Sequence, residues 1–489
     1  MKKKMPQYIR SVCLIILLTS VFFPLFCILF SHYSIFSPIC SVWANEKITI
    51  NKTDFAPEAG VMLCTDKGDV LYSQNHNKGF VPASTIKVLT SLVALHYLGE
   101  DYRFQTHFFI ESSNIEMSTE PNTLKESANI KKIKRDDKSG SGLSSDYSNI
   151  NLKVKGYGDP LFTSAIIHDA CRQVSSTLKS MNIFAINDII VDSSFFAPNI
   201  KVDGTSNTNN PYDAFVGALS ANFNTVAFRY DKTKKSYVSD DPEIPLFPFV
   251  AERVKSASFY EDRVILSEKE SKVYAGILIK YFLQKEGFTI KGEVKTGVAT
   301  DKDKLIYKFI SPYNMDEIIR KLLKYSSNFM ANQLFLSAGA KAYSPPATID
   351  KGIAAMRDYT NKIVGISLVG KTKSVNSKPH NLELTDSNIV FAEGSGLSRK
   401  NRISPQDMIK ILRKFTKHYE LMKSETMSDG VIEYYKTGTL NGVKTRCGYF
   451  ITLHGLYPFV VMVNEYGVGY DKMIPVLSKM VSAYENKNY

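Results

Sequence analysis

A wide interval separates two short polar motifs in this 489-residue chain, and a third motif follows them near the carboxyl end. In order, the motifs are Ser84-Thr-Ile-Lys87, Ser326-Ser-Asn328 and Lys436-Thr-Gly-Thr439. Ser84 and Ser326 are 242 positions apart, so a site that used both would require the chain to build further structure between them. A chain of this length ordinarily divides into about two to four compact units, which leaves room for such an insertion.

Each motif is common by itself, so its surroundings decide whether it carries chemistry. Ordinary residue frequencies give about two chance matches to Ser-x-x-Lys in a chain of this length. Ser176-Thr-Leu-Lys179 is one such match, and Lys295-Thr-Gly297 repeats most of the third motif. We interpret Ser176 as a solvated residue late in a helix over Thr163–Met181, and Lys295-Thr-Gly297 as a strand end before the charged turn at 301–304.

Ser84 stands at a predicted helix start, directly after Pro82-Ala83. The helix runs to Tyr97, is apolar on most faces and should therefore be buried. Residues i and i+3 lie on one helix face, so the amine of Lys87 can reach the Ser84 hydroxyl. Burial would lower the pKa of that amine and let it act as a base, while backbone N–H groups at the helix start can stabilise an oxyanion. The pattern predicts Ser84 as a nucleophile and Lys87 as its base.

Ser326 and Asn328 lie two residues apart at a predicted break between helix Asp316–Lys324 and helix Phe329–Leu336. A loop there could direct a hydroxyl for proton transfer and a carboxamide for a substrate amide into one cleft. The residues alone fit a helix N-cap pair equally well. Both interpretations stay open at this point.

Lys436 to Thr439 lie on a predicted strand that enters a hairpin at Asn441-Gly442. The edge of such a strand can bind an extended peptide, and Gly438 leaves room for a close approach. The amine of Lys436 and the hydroxyls of Thr437 and Thr439 can bind a terminal carboxylate. The third motif therefore favours a site for a peptide with a free carboxyl end.

The amino-terminal segment is typical of an export leader. Four basic residues and no acidic residue precede Glu46, and an apolar run extends over residues 12–30. An A-x-A-like end at 42–44 predicts a signal peptide over residues 1–44. An uncleaved membrane anchor is the alternative, because the apolar run is long for a leader.

Charge and composition set a broad class of protein without selecting a partner. The net charge of +13 falls to +9 without residues 1–44, because that segment holds four basic residues and no acid. A basic surface suits an anionic polymer such as a cell wall, but it also suits nucleic acid or anionic lipid. The 44% hydrophobic and 22% charged residues are typical of a globular protein.

Cysteine and histidine patterns disfavour a disulfide framework and a metal site. Outside the leader, Cys64, Cys171 and Cys447 allow at most one disulfide and are by default buried thiols. The eight histidines form no His-x-x-x-His or His-Glu-x-x-His pattern. We therefore expect neither a metal nor a cofactor.

Other glycine-rich or polar stretches predict turns and loops. Gly156-x-Gly158 is followed by Pro160 rather than by a third glycine, which disfavours a dinucleotide site. Gly394-Ser-Gly396 lacks the first glycine of a nucleophile elbow and predicts a tight turn. The lysine-rich stretch Ser118–Ser148 predicts a mobile loop between paired strands.

The sequence resembles the D-alanyl-D-alanine carboxypeptidase/endopeptidase family, which comprises the low-molecular-mass class C penicillin-binding proteins. A large insertion between the first two motifs is a known feature of that group. The resemblance covers most of the chain after the leader and rests on six blocks, namely Ala83-Ser-Thr-Ile-Lys87, Gly156-Tyr-Gly-Asp-Pro160, Val191-Asp-Ser-Ser194, Ser326-Ser-Asn-Phe-Met-Ala331, Glu393-Gly-Ser-Gly-Leu-Ser-Arg399 and Lys436-Thr-Gly-Thr-Leu440.

This resemblance implies a mixed α/β (α+β) class and a penicillin-binding, serine β-lactamase-like transpeptidase fold. In that fold an antiparallel sheet packs against a helical subdomain. The expected organisation is a leader at 1–44, a catalytic domain formed by 45–100 and 306–489, and one or more inserted β-rich domains at 101–305.

The resemblance also implies roles for the first two motifs. Ser84 would attack the D-Ala-D-Ala carbonyl, and Lys87 would take its proton. The amides of Ser84 and Thr439 would form the oxyanion hole. Ser326 would relay a proton to the leaving D-alanine, and Asn328 would contact the substrate.

In the third motif Lys436, Thr437 and Thr439 would steer the substrate carboxylate beside Gly438. Ser327 departs from the aspartate that the family commonly has at this position. We expect its side chain to point away from the cleft and to leave the chemistry intact.

The implied activity is that of a serine-type D-Ala-D-Ala carboxypeptidase, an endopeptidase or both, acting on peptidoglycan stem peptides through an acyl-enzyme. β-Lactam antibiotics would be covalent inhibitors, and no nucleic acid partner is expected. The expected location is the periplasm, with membrane association if the leader stays uncleaved. A β-lactamase-like hydrolase and a catalytically silent wall-binding protein are the alternatives, and the oligomeric state does not follow from the sequence.

Overall fold

The computed structural model describes residues 55–111, 150–206, 213–255, 261–367 and 389–488. The predicted leader at 1–44 and the predicted loop Ser118–Ser148 lie outside the described residues. In the part of the chain that is described, no helix is both long enough and apolar enough to span a membrane.

Strands and helices are numbered here in chain order. The strands are β1 (Gly60–Cys64), β2 (Val70–Gln74), β3 (Gln105–Ile110), β4 (Leu152–Gly156), β5 (Ala185–Ile186), β6 (Ile189–Asp192), β7 (Thr225–Asp231), β8 (Ser236–Ser239), β9 (Glu261–Ile265), β10 (Thr289–Ile290), β11 (Val294–Thr296), β12 (Lys304–Ile310), β13 (Lys423–Thr426), β14 (Ile432–Leu440), β15 (Val443–Ile451) and β16 (Leu456–Val463). The α-helices are α1 (Lys87–Leu98), α2 (Ser164–Ser180), α3 (Pro248–Val254), α4 (Glu268–Ser271), α5 (Tyr274–Lys285), α6 (Met315–Tyr325), α7 (Asn328–Tyr343), α8 (Ile349–Tyr359), α9 (Pro405–Phe415) and α10 (Met473–Asn488).

A six-stranded antiparallel sheet joins the two ends of the described chain. Its strand order is β13-β14-β15-β16-β1-β2, and β1 pairs with β16 from Gly60 opposite Met462 to Leu63 opposite Phe459. The predicted hairpin is confirmed, since β14 and β15 flank Asn441-Gly442, and β1 and β2 form another hairpin around the turn at 65–69. β1 belongs to the same sheet as β14, and the chain reaches the turn that carries Ser84 soon after it leaves this sheet.

Both faces of this sheet are buried, which explains why the sequence of β16 is a continuous apolar run. Side chains alternate between the faces of a strand, so neighbouring residues of β16 enter different cores. Val460 and Met462 pack with α1, α6, α7, α8 and α9, whereas Phe459, Val461 and Val463 pack with α10. The sheet therefore lies between a helical layer that carries the first two motifs and a single carboxyl-terminal helix.

The chain between α1 and α6 builds a second, mixed sheet with its own core. Its strand order is β11-β6-β4-β3-β12, and β4, β6 and β11 run parallel to their neighbours within this group. Helices α2 and α5 pack on it, and their buried side chains form a cluster that spans Phe108 to Phe309. From this separate core we propose that 101–305 is an inserted region, with its last strand β12 running on to Ile310.

The inserted region is joined to α7 and the loop after it by backbone and side-chain hydrogen bonds. Ala347 N donates to Phe195 O at 2.9 Å, and Ala197 N donates to Ala347 O at 2.9 Å. On α7 itself, Gln333 Nε2 donates to Gly217 O at 2.9 Å. Because α7 begins with Asn328, the inserted region contacts the helix that supports the second motif and the loop that follows this helix.

Two helix starts differ from the sequence prediction. The helix predicted from Ser84 opens with a 3-10 turn, Ala83–Ile86, because Ala83 has a φ of 47°, which an α-helix cannot contain. The loop predicted around Ser326–Asn328 is shorter than expected, because Ser327 caps α7 and Asn328 is its first residue. Both deviations fall at motif residues.

Ser404 is the N-cap of α9, and this cap gives a stability test. Its Oγ accepts from Asp407 N at 3.1 Å, which satisfies a donor that α9 otherwise leaves unpaired. Ser404→Ala should therefore lower the free energy of unfolding by about 1 kcal/mol. Ser176→Ala is the matched control, since Ser176 is exposed within α2 and should change little. Equal thermal unfolding temperatures for the two variants would contradict the capping role.

Candidate active site

Ser84 lies on the 3-10 turn that precedes α1. Side chains at i and i+3 eclipse in a 3-10 turn, which aligns Lys87 with Ser84 more directly than an α-helix would. The left-handed φ of 47° at Ala83 places this turn in a conformation that a non-glycine residue adopts only when its surroundings impose it. Hydrogen bonds and close contacts with neighbouring segments impose this conformation.

Hydrogen bonds from three segments hold the backbone that leads into Ser84. Asn464 Oδ1 accepts from Val81 N at 2.7 Å, and its Nδ2 donates to Val81 O at 3.2 Å. The carbonyl of Pro82 accepts from Thr445 Oγ1 on β15 and from Thr85 Oγ1, both at 2.7 Å. The turn is thus fixed to the six-stranded sheet on its amino-terminal side.

Two glycines allow other backbones to pack directly against the turn. A methyl group at Gly438 on β14 would lie 2.8 Å from the Ser84 nitrogen, and one at Gly396 would lie 1.9 Å from the Ala83 carbonyl oxygen. Gly396 also has a φ of +84°, which other residues rarely adopt. The backbone that approaches Gly438 in the structure is that of Ser84 itself, whereas the approach of a substrate peptide to Gly438 stays a prediction.

The amine of Lys87 is completely buried and touches three oxygen atoms. Its Nζ lies 2.7 Å from Ser84 Oγ, 2.8 Å from Asn328 Oδ1 and 2.6 Å from the Ser395 carbonyl oxygen. Burial holds the pKa of Lys87 well below the ordinary lysine value, and the nearby cation of Lys436 lowers it further. The carboxylate of Glu393 acts in the opposite direction without reversing the shift.

The acceptors around Lys87 fix the direction of each hydrogen bond once its amine is neutral. A neutral amine has two hydrogens and one lone pair, and the carbonyl oxygens of Asn328 and Ser395 can only accept. Those two oxygens therefore take the two hydrogens. The lone pair is left facing the hydroxyl of Ser84, which can donate its proton to it.

Ser326 and Lys436 form a second pair near Lys87. Ser326 ends α6 with a left-handed φ of 56°, and its Oγ accepts from Lys436 Nζ at 2.8 Å. Lys436 is 2% exposed, and burial lowers its pKa to about 8. Because Lys436 occupies an acceptor position of the Ser326 hydroxyl, the hydrogen of that hydroxyl is left to point elsewhere.

Ser327 caps α7 and takes no part in these contacts. Its Oγ accepts from Met330 N at 3.2 Å. Aspartate also caps helices well, so the exchange of aspartate for serine preserves this local role. The N-cap interpretation of Ser326 and Asn328 is therefore wrong, because the cap is Ser327 between them, while Ser326 and Asn328 contact Lys436 and Lys87.

The outer edge of β14 is open beside Ser84. Among the described residues, β13 pairs with β14 only from Ile432 to Tyr435. Lys436 to Leu440 continue beyond β13, with Thr437 half-buried and Thr439 exposed. An extended peptide could therefore add to this part of the strand, as the third motif predicts.

The tight turn at 393–396 provides the third contact of Lys87. The sequence did not indicate this role. The carboxylate of Glu393 is fully buried and organises this turn. It accepts hydrogen bonds from five donors, namely Ser395 N, Ser395 Oγ, Gly396 N, Ser398 N and Asn401 Nδ2. With the turn held this way, the Ser395 carbonyl points at the amine of Lys87.

The sequence did contain a signal for this turn. A buried acid needs several donors, and Gly394 after Glu393 leads to a Ser-Gly pair whose backbone N–H groups can supply them. Nothing in the local sequence indicates that the turn would meet Lys87, which lies 308 positions away.

Both rejected motif copies have the structure that the sequence predicts, since Ser176 is solvated late in α2 and Lys295-Thr-Gly297 lies at the end of β11. Ser176 and Lys179 are exposed on α2, and Ser176 Oγ donates to Arg172 O. Lys295 sits on β11, where its amine pairs with Asp188 at 2.6 Å. Gly156 ends β4 and Gly158 follows it with a left-handed φ of +89°, so the predicted turn at Gly156-x-Gly158 is instead a strand end.

The cysteines among the described residues are buried thiols. Cys64, Cys171 and Cys447 are free and buried, in agreement with the default prediction. Within the described residues, no group of three or more histidine, cysteine, aspartate or glutamate side chains could hold a metal ion.

Comparison with known proteins supports the fold and the family. A crystal structure of penicillin-binding protein 4 (dacB) from Haemophilus influenzae superposes with a TM-score of 0.62 at 19% identity, covering 87% of this chain and 96% of that one. The same protein complexed with a novel β-lactam superposes with a TM-score of 0.58. The expected penicillin-binding fold is thereby confirmed.

Curated relatives match over most of their length. D-alanyl-D-alanine carboxypeptidase DacB from Haemophilus influenzae is 23% identical over 458 residues, which cover 83% of this chain and 84% of the relative. A D-alanyl-D-alanine carboxypeptidase from an Actinomadura species is 22% identical over 469 residues, which cover 83% of this chain and 77% of the relative. The model of the D-Ala-D-Ala carboxypeptidase 3 (S13) family matches residues 49–126 and 138–427, and the chain therefore belongs to that family.

Proposed function

We propose that this protein is a serine-type D-Ala-D-Ala peptidase that cleaves peptidoglycan stem peptides through an acyl-enzyme. Family membership supports the activity, and one observation of this chain supports the mechanism. That observation is the buried amine of Lys87, 2.7 Å from Ser84 Oγ and in contact with two oxygens that can only accept hydrogen bonds.

In the first step Ser84 Oγ attacks the carbonyl carbon of the penultimate D-alanine. Its proton passes to the lone pair of Lys87, whose low pKa makes the neutral amine available. The tetrahedral intermediate then loses the terminal D-alanine as its C–N bond breaks. The leaving nitrogen takes a proton that Lys87 returns through Ser326, and an ester on Ser84 remains.

We place the oxyanion hole at the amides of Ser84 and Thr439. Gly438 lacks a side chain at the point where a methyl group would come within 2.8 Å of the Ser84 nitrogen. The close packing of β14 against the turn of Ser84 would bring these two amides next to the same substrate carbonyl oxygen. Fixed N–H donors of this kind stabilise the negative charge that develops on the carbonyl oxygen.

The third motif would bind the substrate along the open edge of β14. The cation of Lys436 and the hydroxyls of Thr437 and Thr439 would hold the terminal carboxylate. Asn328 Oδ1 is engaged by Lys87, so the amide nitrogen of Asn328 is the group that we assign to a substrate carbonyl.

Water then hydrolyses the ester and releases the shortened peptide. A β-lactam would acylate Ser84 in the same way and act as a covalent inhibitor. The predicted leader supports export to the periplasm, where the substrate polymer is located. The contacts of Lys87 with Ser84 and Asn328 and of Lys436 with Ser326 argue against a catalytically silent wall-binding protein.

A stem pentapeptide that ends in D-Ala-D-Ala tests the reaction directly. We expect the purified protein to release one D-alanine per peptide, and Ser84→Ala to reduce release to background because the nucleophile is lost. Ser176→Ala is the control and should keep the wild-type rate. Released D-alanine can be quantified by chromatography, and a cross-linked stem dimer in parallel separates endopeptidase from carboxypeptidase activity. A wild-type protein inactive on both substrates would refute the proposal.

The pH dependence of acylation tests the two lysines. The rate should rise as pH increases through the pKa of Lys87, because only the neutral amine accepts the proton. It should fall again above about pH 8, where Lys436 loses the charge that holds the carboxylate. Lys436→Arg should move the alkaline limb to higher pH, since arginine stays charged. Stopped-flow measurement with a chromogenic β-lactam gives the profile, and an unchanged alkaline limb in Lys436→Arg would contradict the role of Lys436.

A further inference from the structure

A loop of the inserted region lies against the turn that contacts Lys87. The loop spans residues 202–206 and is anchored by Val202, which is 8% exposed. Thr205 Oγ1 donates to Val202 O at 2.8 Å, and Asp213 accepts from Ser206 N at 3.1 Å and from Ser206 Oγ at 2.9 Å. The loop is therefore braced at both ends.

The contact between the loop and the turn is made by backbone. Gly204 has a φ of +90°, and a methyl group there would lie 2.8 Å from the carbonyl carbon and oxygen of Leu397 and from Ser398 N. No side chain separates the two segments at this point. A displacement of the loop would therefore act directly on the residues that follow Gly396.

Asp203 adds a polar connection to the same segment. Its carboxylate accepts from Ser398 Oγ and from Lys400 Nζ, the latter at 2.6 Å. Both hydrogen bonds hold the pKa of Asp203 below its ordinary value, and the hydrogen bond from Lys400 lowers this pKa more than the one from Ser398. The side chains of Asp203 and Lys400 are 37% and 73% exposed, so their ion pair contributes little to stability.

Ser398 connects Asp203 to the buried carboxylate that organises the turn. Ser398 N donates to Glu393 Oε1 at 3.2 Å, and Glu393 in turn accepts from Ser395 N at 2.6 Å. The carbonyl of Ser395 then accepts from Lys87 at 2.6 Å. A continuous series of hydrogen bonds thus runs from the inserted region to the amine beside Ser84.

We propose that Asp203 is a positioning residue for Lys87, acting from the inserted region through Ser398, Glu393 and the Ser395 carbonyl. This inference rests on the proposed function, because it concerns the base of that reaction. The Ser395 carbonyl takes one of the two hydrogens of neutral Lys87, so its place determines where the lone pair points. Misplacement of a reacting group by about 1 Å can cost a large factor in rate without affecting substrate binding.

The test compares Asp203→Ala with a matched control, Asp358→Ala. Asp358 forms an ion pair with Lys362 at 2.6 Å, and the two side chains are 38% and 67% exposed, which closely matches Asp203 and Lys400. That pair lies at the end of α8, away from the turn at 393–396. We expect Asp203→Ala to lower kcat for the stem pentapeptide on the order of tenfold with KM within about twofold, and Asp358→Ala to leave both constants unchanged.

Asp203→Asn should recover most of the lost kcat, because an amide oxygen can still accept from Ser398 Oγ. Gly204→Ala probes the same contact independently and should also lower kcat, which keeps the test open if Asp203→Ala does not fold. Thermal unfolding temperatures confirm that each compared variant is folded. A kcat for folded Asp203→Ala equal to that of Asp358→Ala, or a change confined to KM, would overturn the inference. A wild-type protein that releases no D-alanine would instead refute the proposed function.

Discussion

The buried amine of Lys87 is the constraint on which the rest of the site depends. An ammonium group that is entirely removed from water is costly, and the pKa of Lys87 falls accordingly. The neutral amine can satisfy two acceptors and must receive a donor. Asn328 and Ser395 provide the acceptors, which leaves Ser84 as the donor.

The fold brings together four segments that are far apart in the chain to meet this requirement. The turn of Ser84 follows the first hairpin, Asn328 begins α7, the turn of Glu393 precedes α9, and Lys436 lies on β14. Pairing of β1 with β16 joins the beginning and end of the described chain in one sheet. The inserted region between α1 and α6 is seated on α7 and touches the turn of Glu393, so it supports the site as well as occupying the interval between the motifs.

Local chemistry made much of this predictable from the sequence. The three-residue spacing of Ser84 and Lys87, the cap at Ser404 and the Asn441-Gly442 hairpin each follow from interactions between residues close in the chain. The turn of Glu393 and the loop of Asp203 could not be placed in this way. Their partners lie about 200 to 300 positions away in the chain, and no periodic pattern of residues in the sequence indicates such a contact. The 3-10 turn was also missed, because tertiary contacts impose the left-handed φ of Ala83.

The central claim is that Ser84, activated by Lys87, forms the covalent intermediate. Incubation of the protein with a penicillin, followed by proteolysis and mass spectrometry, locates the acyl group on a single peptide. We predict that the peptide containing Ser84 carries the added mass and that Ser84→Ala carries none on any peptide. An adduct on Ser326 or on another residue, or one that persists in Ser84→Ala, would contradict the assignment of the nucleophile.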